Sequence, residues 1–166
     1  MNLRDIPFIA RIRRNHGLEH ATIHVLTQHN PRLRVVGRTT LGGFYLYGDL
    51  TVKDVRAAVE QALSRLQGGE THLALHPHCG TNLATAGFLA GLSAFIALWP
   101  RSRRRLDQLP FAILAATLAV IAAQPLGLIL QAQVTTSSDV GNLIVKRIVR
   151  RQQNRLTVHY VEMATY

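Results

Sequence analysis

The segment N-H-G-L-E-H-A-T-I-H, residues 15–24, carries the densest set of chemically capable side chains in the chain. On a helix, His16, His20 and His24 recur at i, i+4 and i+8 and share one face, with Glu19 beside the first pair. Two imidazoles at i and i+4 can bind one Zn²⁺, and a neighbouring carboxylate can take a proton from metal-bound water, whose pKa the ion lowers toward about 7. The spacing therefore predicts a metal site with Glu19 as the catalytic base.

A second cluster, H-P-H-C-G at residues 76–80, directly precedes a long apolar run. His78 or Cys79 can supply a third ligand if this segment lies against the histidine helix. The predicted ion is Zn²⁺ or another divalent transition metal. The predicted metal ligands are His16, His20, His24, His78 and Cys79.

A structural role for the histidines is the main alternative, and haem ligation is a minor one. The chain contains eight histidines, so some local clustering is expected without function. Imidazoles often hydrogen-bond backbone carbonyls or meet lipid headgroups instead of binding metal. Cys79 also fits as a small buried residue, because the sequence does not establish a neighbouring base that would activate it as a nucleophile.

Two uncharged apolar segments, residues 83–99 and 109–134, are long enough to form transmembrane helices. The short connection P-R-S-R-R-R-L-D-Q makes them antiparallel neighbours in a hairpin. Gly87 and Gly91 have the G-x-x-x-G spacing that lets another helix approach closely. The alternative is a pair of buried helices in a soluble protein.

The orientation of this hairpin is predicted from two opposing signals. Arg101, Arg103, Arg104 and Arg105 in the loop favour a cytoplasmic loop under the positive-inside rule. The N-terminal residues lack the apolar segment of a secretory signal, and a second basic run follows the hairpin. We give the missing signal more weight and expect a protein of the cell inner membrane with both termini in the cytoplasm.

The remaining sequence predicts an α+β fold around this hairpin. Asn15 is a predicted N-cap for a helix over 16–28, and two β-rich runs around Gly42-Gly43 predict a hairpin. Thr51 and Asp54 have capping-box spacing at the start of a helix that ends before Gly68. Residues 71–76 and 156–163 are predicted strands, and a basic amphipathic helix is predicted around 140–148. The expected domains are 1–81, a small soluble α+β domain, 82–134, the membrane hairpin, and 135–166, a helix and strand that can rejoin the N-terminal sheet.

The charge of the chain indicates its partners. A net charge of +10, with arginines flanking the apolar segments, suits a lipid bilayer with anionic headgroups. Nucleic acid is not the expected partner, because no basic run is interleaved with aromatic residues. Other membrane-protein subunits or self-association remain open through the Gly87/Gly91 face. The single cysteine excludes an intrachain disulfide framework.

Residues 16–20 match H-x-x-E-H and so resemble the zinc motif of the inverzincin metallopeptidases. That resemblance implies His16 and His20 as ligands and Glu19 as the base, while the downstream Glu ligand of that family has no counterpart here. The chain as a whole resembles an uncharacterised family of small bacterial membrane proteins with N-H-G-x-E-H-A and H-x-H-C-G-T-N segments. The sequence thus predicts a membrane-anchored metal-binding protein, with zinc-dependent hydrolysis as its activity. A non-enzymatic subunit or assembly factor of a membrane complex is the alternative, and nucleic-acid binding is a third hypothesis.

Overall fold

A computed structural model describes residues 6–99, 105–153 and 156–165, and it confirms the mixed α+β class. The helices are α1 (Pro7–His29), α2 (Val52–Gln67), α3 (Gly80–Leu98) and α4 (Leu109–Leu130). The strands are β1 (Val36–Thr40), β2 (Gly43–Tyr47), β3 (Leu143–Gln153) and β4 (Leu156–Thr165). The chain divides into two compact units: Met1–Leu75 with Ala132–Tyr166 form the first, and His76–Gln131 the second.

The first unit is built on one antiparallel sheet with strand order β1-β2-β4-β3. As predicted, the C-terminal strand rejoins the N-terminal hairpin, because residues 158–162 of β4 pair with the whole of β2. Helices α1 and α2 pack against each other and against the sheet. Between these two layers lies a core of fully buried side chains that includes Leu18, Val25, Phe44, Leu46, Val55, Val59, Val161 and Met163.

The predicted helix around 140–148 is wrong, because this segment forms strand β3. Val140, Leu143, Ile144 and Ile148 fit a helical period. The segment is nevertheless rich in β-branched residues, and it pairs with β4 from Leu143 to Gln153. Tertiary pairing therefore overrides the apparent helical period.

The first helix starts at Pro7, nine residues before its predicted first residue, His16, for which Asn15 was the predicted N-cap. Pro7 occupies its first turn, where its fixed φ is compatible with a helix and its missing N–H is not needed. Asn15 is consequently an interior residue and not a cap. Its buried amide donates to the carbonyls of Thr40 and Leu41, 3.0 Å from each, and so fixes α1 to the β1–β2 turn.

The Thr51–Asp54 capping box of α2 is confirmed, since each side chain accepts from the other's backbone N–H. The strand predicted at 71–76 is wrong: Thr71–Ala74 form a 3₁₀ turn. Leu73 and Ala74 are both buried although they are adjacent. Neighbouring residues of a strand point to opposite faces, so a turn accommodates this pair better.

The second unit contains α3 and α4, which are long and apolar enough to cross a membrane. The helix predicted over 109–134 is α-helical to Leu130 and ends in a π-helical turn over Gln131–Thr135. The side chain of Gln131 is fully buried. It accepts a hydrogen bond from the His76 N–H and donates one to the His76 carbonyl, each at 3.0 Å, and it also donates to the Asn82 side chain. Gly127 leaves room for this network, since a Cβ there would lie 2.9 Å from the Asn82 amide carbon. The loop residues Arg101, Arg103 and Arg104 lie outside the described residues.

Candidate metal centre

Three histidines of α1 each hydrogen-bond a backbone carbonyl of the first unit. The Nδ1 atoms of His16 and His20 lie 2.9 Å from the Thr135 carbonyl and 2.8 Å from the Ala74 carbonyl. The Nε2 atom of His24 lies 2.8 Å from the Leu75 carbonyl. All three carbonyls belong to the chain segments that lead into and out of the second unit. The histidine face of α1 therefore fixes both junctions of the chain.

These bonds assign the tautomers of the rings. A carbonyl oxygen only accepts, so the facing nitrogen must carry the hydrogen. In neutral His16 and His20, Nδ1 is then the donor and Nε2 carries the lone pair, whereas in His24 the roles are reversed. A metal-ligating histidine characteristically donates its other N–H to a carbonyl in this way. The rings of His16 and His20 are adjacent, with centroids 4.4 Å apart.

Gly17 explains how the segment that carries Thr135 approaches α1. A Cβ at Gly17 would lie 2.9 Å from the carbonyl carbon of Ser137, which is too close for a side chain. Arg13, one turn earlier, donates to the Gln133 and Thr136 carbonyls at 3.2 and 2.8 Å, and its own carbonyl accepts from the Ser137 N–H. Gly17, which lies between His16 and His20 in the sequence, thus allows the Ser137 backbone to pack closely against α1.

Glu19 is buried on the side of α1 that faces β1, with only 5% of the residue exposed. Its carboxylate accepts a hydrogen bond from the Thr39 hydroxyl. Burial raises the pKa of Glu19, and the Thr39 bond and the nearby charge of His16 partly offset this rise. Gly37 leaves the space for this side chain, because a Cβ there would lie 2.7 Å from Glu19 Cγ.

Cys79 is the N-cap residue of α3 and is almost completely buried. The Asn82 side chain orders the segment around it by donating to the Pro77 carbonyl at 2.8 Å. The N-terminal end of a helix favours negative charge, and a thiolate is the form of cysteine that ligates metals.

The structure brings two of the predicted ligands together in the first unit, where the rings of His16 and His20 are adjacent. Two imidazoles and a thiol are a ligand set that can hold a metal ion, and zinc enzymes use three protein ligands with a fourth position open. His24 lies on the same helix and uses Nε2 for the Leu75 carbonyl, whereas Cys79 and His78 belong to the second unit. His78 is exposed and has its ring 5.6 Å from that of His76.

Sequence reasoning missed the groups that orient the site. The carbonyls of Ala74, Leu75 and Thr135 leave no signal in the sequence, because any residue type supplies a carbonyl. The space that Gly37 leaves for Glu19 has a weak signal: a lone glycine inside the β-rich run L-R-V-V-G-R-T-T indicates a close approach by another group.

The fold and the site define a small α+β protein with two helices long and apolar enough to cross a membrane and a first helix on which the rings of His16 and His20 are adjacent. Residues 11–148 match the family described as DUF6391, a domain of unknown function, and the chain belongs to this family. It is also 36% identical over 155 residues to an uncharacterized protein of Picosynechococcus sp. (strain ATCC 27264 / PCC 7002 / PR-6), a match covering 88% of this chain and 74% of that protein. No solved structure matches the chain. The expectation of an uncharacterised family is confirmed.

Proposed function

We propose that this protein is a membrane-anchored zinc protein that hydrolyses a peptide or amide bond at the cytoplasmic surface of the inner membrane. In this proposal His16, His20 and Cys79 bind the ion, and Glu19 is the general base. The observation that carries the proposal is the shared tautomer of His16 and His20. In both rings Nδ1–H donates to a backbone carbonyl, so Nε2 is the nitrogen that carries the lone pair a metal needs. The two rings are adjacent on one face of α1.

Chain connectivity supports Cys79 as the third ligand. His24 fixes the Leu75 carbonyl to α1, and Cys79 follows Leu75 by four residues. Because an extended chain advances at most about 3.6 Å per residue, Cys79 stays within about 14 Å of Leu75. This short tether keeps the thiol within reach of the histidine face.

The surroundings of Glu19 suit a proton acceptor. Burial moves its pKa upward, toward that of a zinc-bound water at about 7, which favours proton transfer between the two. Thr39 holds one carboxylate oxygen, and His16 is close enough to influence the charge of the group. Three protein ligands leave one position of a tetrahedral ion for the water or the substrate carbonyl.

The membrane anchor is assigned to α3 and α4. Their 19 and 22 residues span about 28 and 33 Å, which matches the hydrocarbon core of a bilayer. Large apolar side chains on both helices are exposed, including Phe88 and Ile113 at 70% and 65%. A helix in the core of a soluble protein would bury such side chains. Anionic headgroups remain the proposed partners of the basic segments.

The first experiment measures zinc per chain by inductively coupled plasma mass spectrometry on detergent-purified protein. We expect one ion per chain in the wild type and a loss of at least tenfold in zinc affinity in Cys79→Ser and in His16→Ala/His20→Ala. Cys79→Ser is the more stringent variant, because it leaves the imidazole–carbonyl bonds in place. His29→Ala is the matched control: it removes another imidazole of α1, one that bonds the Val25 carbonyl and lies outside the group. Equal zinc in all variants, or none in any, would contradict the proposed site.

A second experiment separates catalysis from binding. Glu19→Gln should retain zinc while hydrolysis of fluorescein-labelled casein falls by roughly 10²- to 10⁴-fold, the usual contribution of a general base. Zinc binding without hydrolysis by the wild type would refute the catalytic role and leave a metal-binding protein. Hydrolysis that survives Glu19→Gln would show that another group is the base.

One observation favours a second candidate, a non-enzymatic subunit of a membrane complex. Among the described residues, a Cβ built at Gly87 or at Gly91 meets no atom within 4 Å, so the described part of α4 does not cover this face of α3. Two small residues four apart let a further transmembrane helix pack closely. Stoichiometric co-purification of a larger membrane protein, lost in Gly87→Ile/Gly91→Ile, combined with an absence of metal, would favour this candidate over the zinc hydrolase.

A further inference from the structure

One face of the sheet in the first unit carries three tyrosines. Phe44 and Leu46 of β2 are fully buried in the core, so the alternating residues Tyr45 and Tyr47 point to the opposite face. Tyr160 of β4 pairs with Tyr45 and lies on that face too. All three tyrosines are half-buried and thus accessible. The face away from α1 and α2 is therefore aromatic at its centre.

The three rings form a continuous surface. The centroids of Tyr45 and Tyr160 are 4.6 Å apart with planes inclined by 36°, and those of Tyr45 and Tyr47 are 6.3 Å apart with planes inclined by 32°. A Cβ at Gly42 would lie 2.6 Å from the Tyr160 hydroxyl, so this ring extends over the β1–β2 turn. Glycine at position 42 therefore leaves the space that the Tyr160 hydroxyl occupies.

Cationic side chains border the tyrosines on both sides. Arg38 of β1 pairs with Tyr45, and Arg151 of β3 lies across Val158 from Tyr47. Both arginines are exposed. Glu162 follows Tyr160 along β4, and its carboxylate forms ion pairs with Lys146 and Arg147 of β3. Four cations against one carboxylate give this face a net positive charge.

We propose that the open sheet face binds single-stranded nucleic acid, with bases stacked on Tyr45, Tyr47 and Tyr160 and phosphates held by Arg38 and Arg151. Single-strand binding surfaces combine aromatic platforms for the bases with a basic path for the backbone. A sheet with exposed aromatic rings is one recognised form of such a surface. Duplex DNA keeps its bases stacked inside and cannot use the rings. This function is independent of the proposed zinc site.

A membrane surface is the competing occupant. Interfacial binding relies on apolar side chains that protrude into the headgroup layer. Here the aromatic side chains are half-buried and adjacent, so they form a platform and do not protrude from the sheet. The charges also lie at the borders of the rings, as a phosphate backbone requires. These observations favour the nucleic acid over the lipid surface.

The test is fluorescence anisotropy of a labelled oligothymidylate or oligouridylate of about 12 nucleotides, with full-length protein in neutral detergent. We expect binding at about 50 mM salt, with log K falling against log salt at a slope of about −1.4 for the two phosphate contacts of Arg38 and Arg151. Tyr160→Ala should weaken binding roughly 5- to 150-fold, whereas Tyr160→Phe should bind as the wild type does. Arg151→Gln should flatten the salt slope, and Arg56→Gln on α2 is its matched control.

Three results would overturn the proposal. The first is an oligonucleotide that does not bind at about 50 mM salt, and the second is Tyr160→Ala binding as tightly as the wild type. The third is a duplex of the same sequence binding as tightly as the single strand, since charge alone would then account for the contact. If the oligonucleotide fails while Arg151→Gln weakens binding of short-chain phosphatidylglycerol, the face belongs to lipid headgroups.

Discussion

Gly37→Ala tests the placement of Glu19 directly. Gly37 lies in β1 and pairs with Leu46, and its φ is not in the left-handed region. Alanine is therefore acceptable to the backbone at this position. By reducing the freedom of the unfolded chain, the substitution alone would stabilise the fold by about 0.4 to 1 kcal/mol. Any net loss of stability must come from what the new methyl group meets.

The new methyl group meets the Glu19 side chain. Its carbon would lie 2.7 Å from Glu19 Cγ, about 1 Å closer than the usual contact distance between carbon atoms. Overpacking of this kind costs about 1 to 3 kcal/mol. Displacing the carboxylate would relieve the overlap at the expense of its bond to Thr39, which as a bond to a charged group contributes about 1.5 to 3 kcal/mol. Because these costs are alternatives, the overlap costs about 2 kcal/mol, and after the stabilisation of about 0.4 to 1 kcal/mol from the restricted unfolded chain we expect a net loss of about 1 to 1.6 kcal/mol.

The assay is guanidinium unfolding in detergent, followed by near-ultraviolet circular dichroism of the sheet tyrosines. These tyrosines report on the first unit, which contains both Gly37 and Glu19. In a Glu19→Ala background the same Gly37→Ala change should be neutral or slightly stabilising, which gives a coupling of about 2 kcal/mol in the double-mutant cycle. If Gly37→Ala costs the same in both backgrounds, Glu19 does not occupy the space next to Gly37.

Two further predictions concern pH. His159 is fully buried, neither ring nitrogen has a hydrogen-bond partner in the described part of the chain, and burial, with a smaller contribution from Arg150, lowers its pKa. Below pH 6.5 His159 is therefore protonated more readily in the unfolded chain than in the folded protein, and this favours unfolding. The guanidinium midpoint of His159→Leu should exceed that of the wild type by an amount that grows as pH falls below 6.5, and a pH-independent difference would contradict this. The raised pKa of Glu19 makes stability depend on pH in the opposite direction, because the folded protein keeps this proton more readily than the unfolded chain. With chelator present, the wild type should lose stability relative to Glu19→Gln as pH rises above 4.5, by at most about 1.4 kcal/mol per pH unit. A gain in stability of the wild type over this range would contradict the prediction.

The parts of the fold that the sequence predicted correctly have local determinants. The Thr51–Asp54 box and the Gly42-Gly43 turn act within a few residues, and the two apolar segments are marked by composition alone. Strand β3 was missed because its identity depends on pairing with β4 along the whole segment. The start of α1 was missed because Asn15 has the composition of a cap, while its actual partners are the carbonyls of Thr40 and Leu41. Long-range partners decide such cases.

The same division applies to the functional residues. Helical spacing was enough to predict that His16 and His20 are adjacent, because both lie on one helix. The aromatic face was missed because its tyrosines come from β2 and β4, which are far apart in the sequence. A search for basic residues interleaved with aromatic ones along the chain cannot detect a pattern that forms only across strands. Register, and not local composition, creates that surface.

The carbonyl bonds of His16 and His20 are compatible with both roles considered for them. An imidazole that donates through Nδ1 to a carbonyl can ligate a metal through Nε2, so anchoring the chain junctions and holding an ion use different atoms of one ring. A metal-free protein should therefore keep the contacts of His16 and His20 with the Thr135 and Ala74 carbonyls, because the proposed zinc binding uses only the Nε2 atoms.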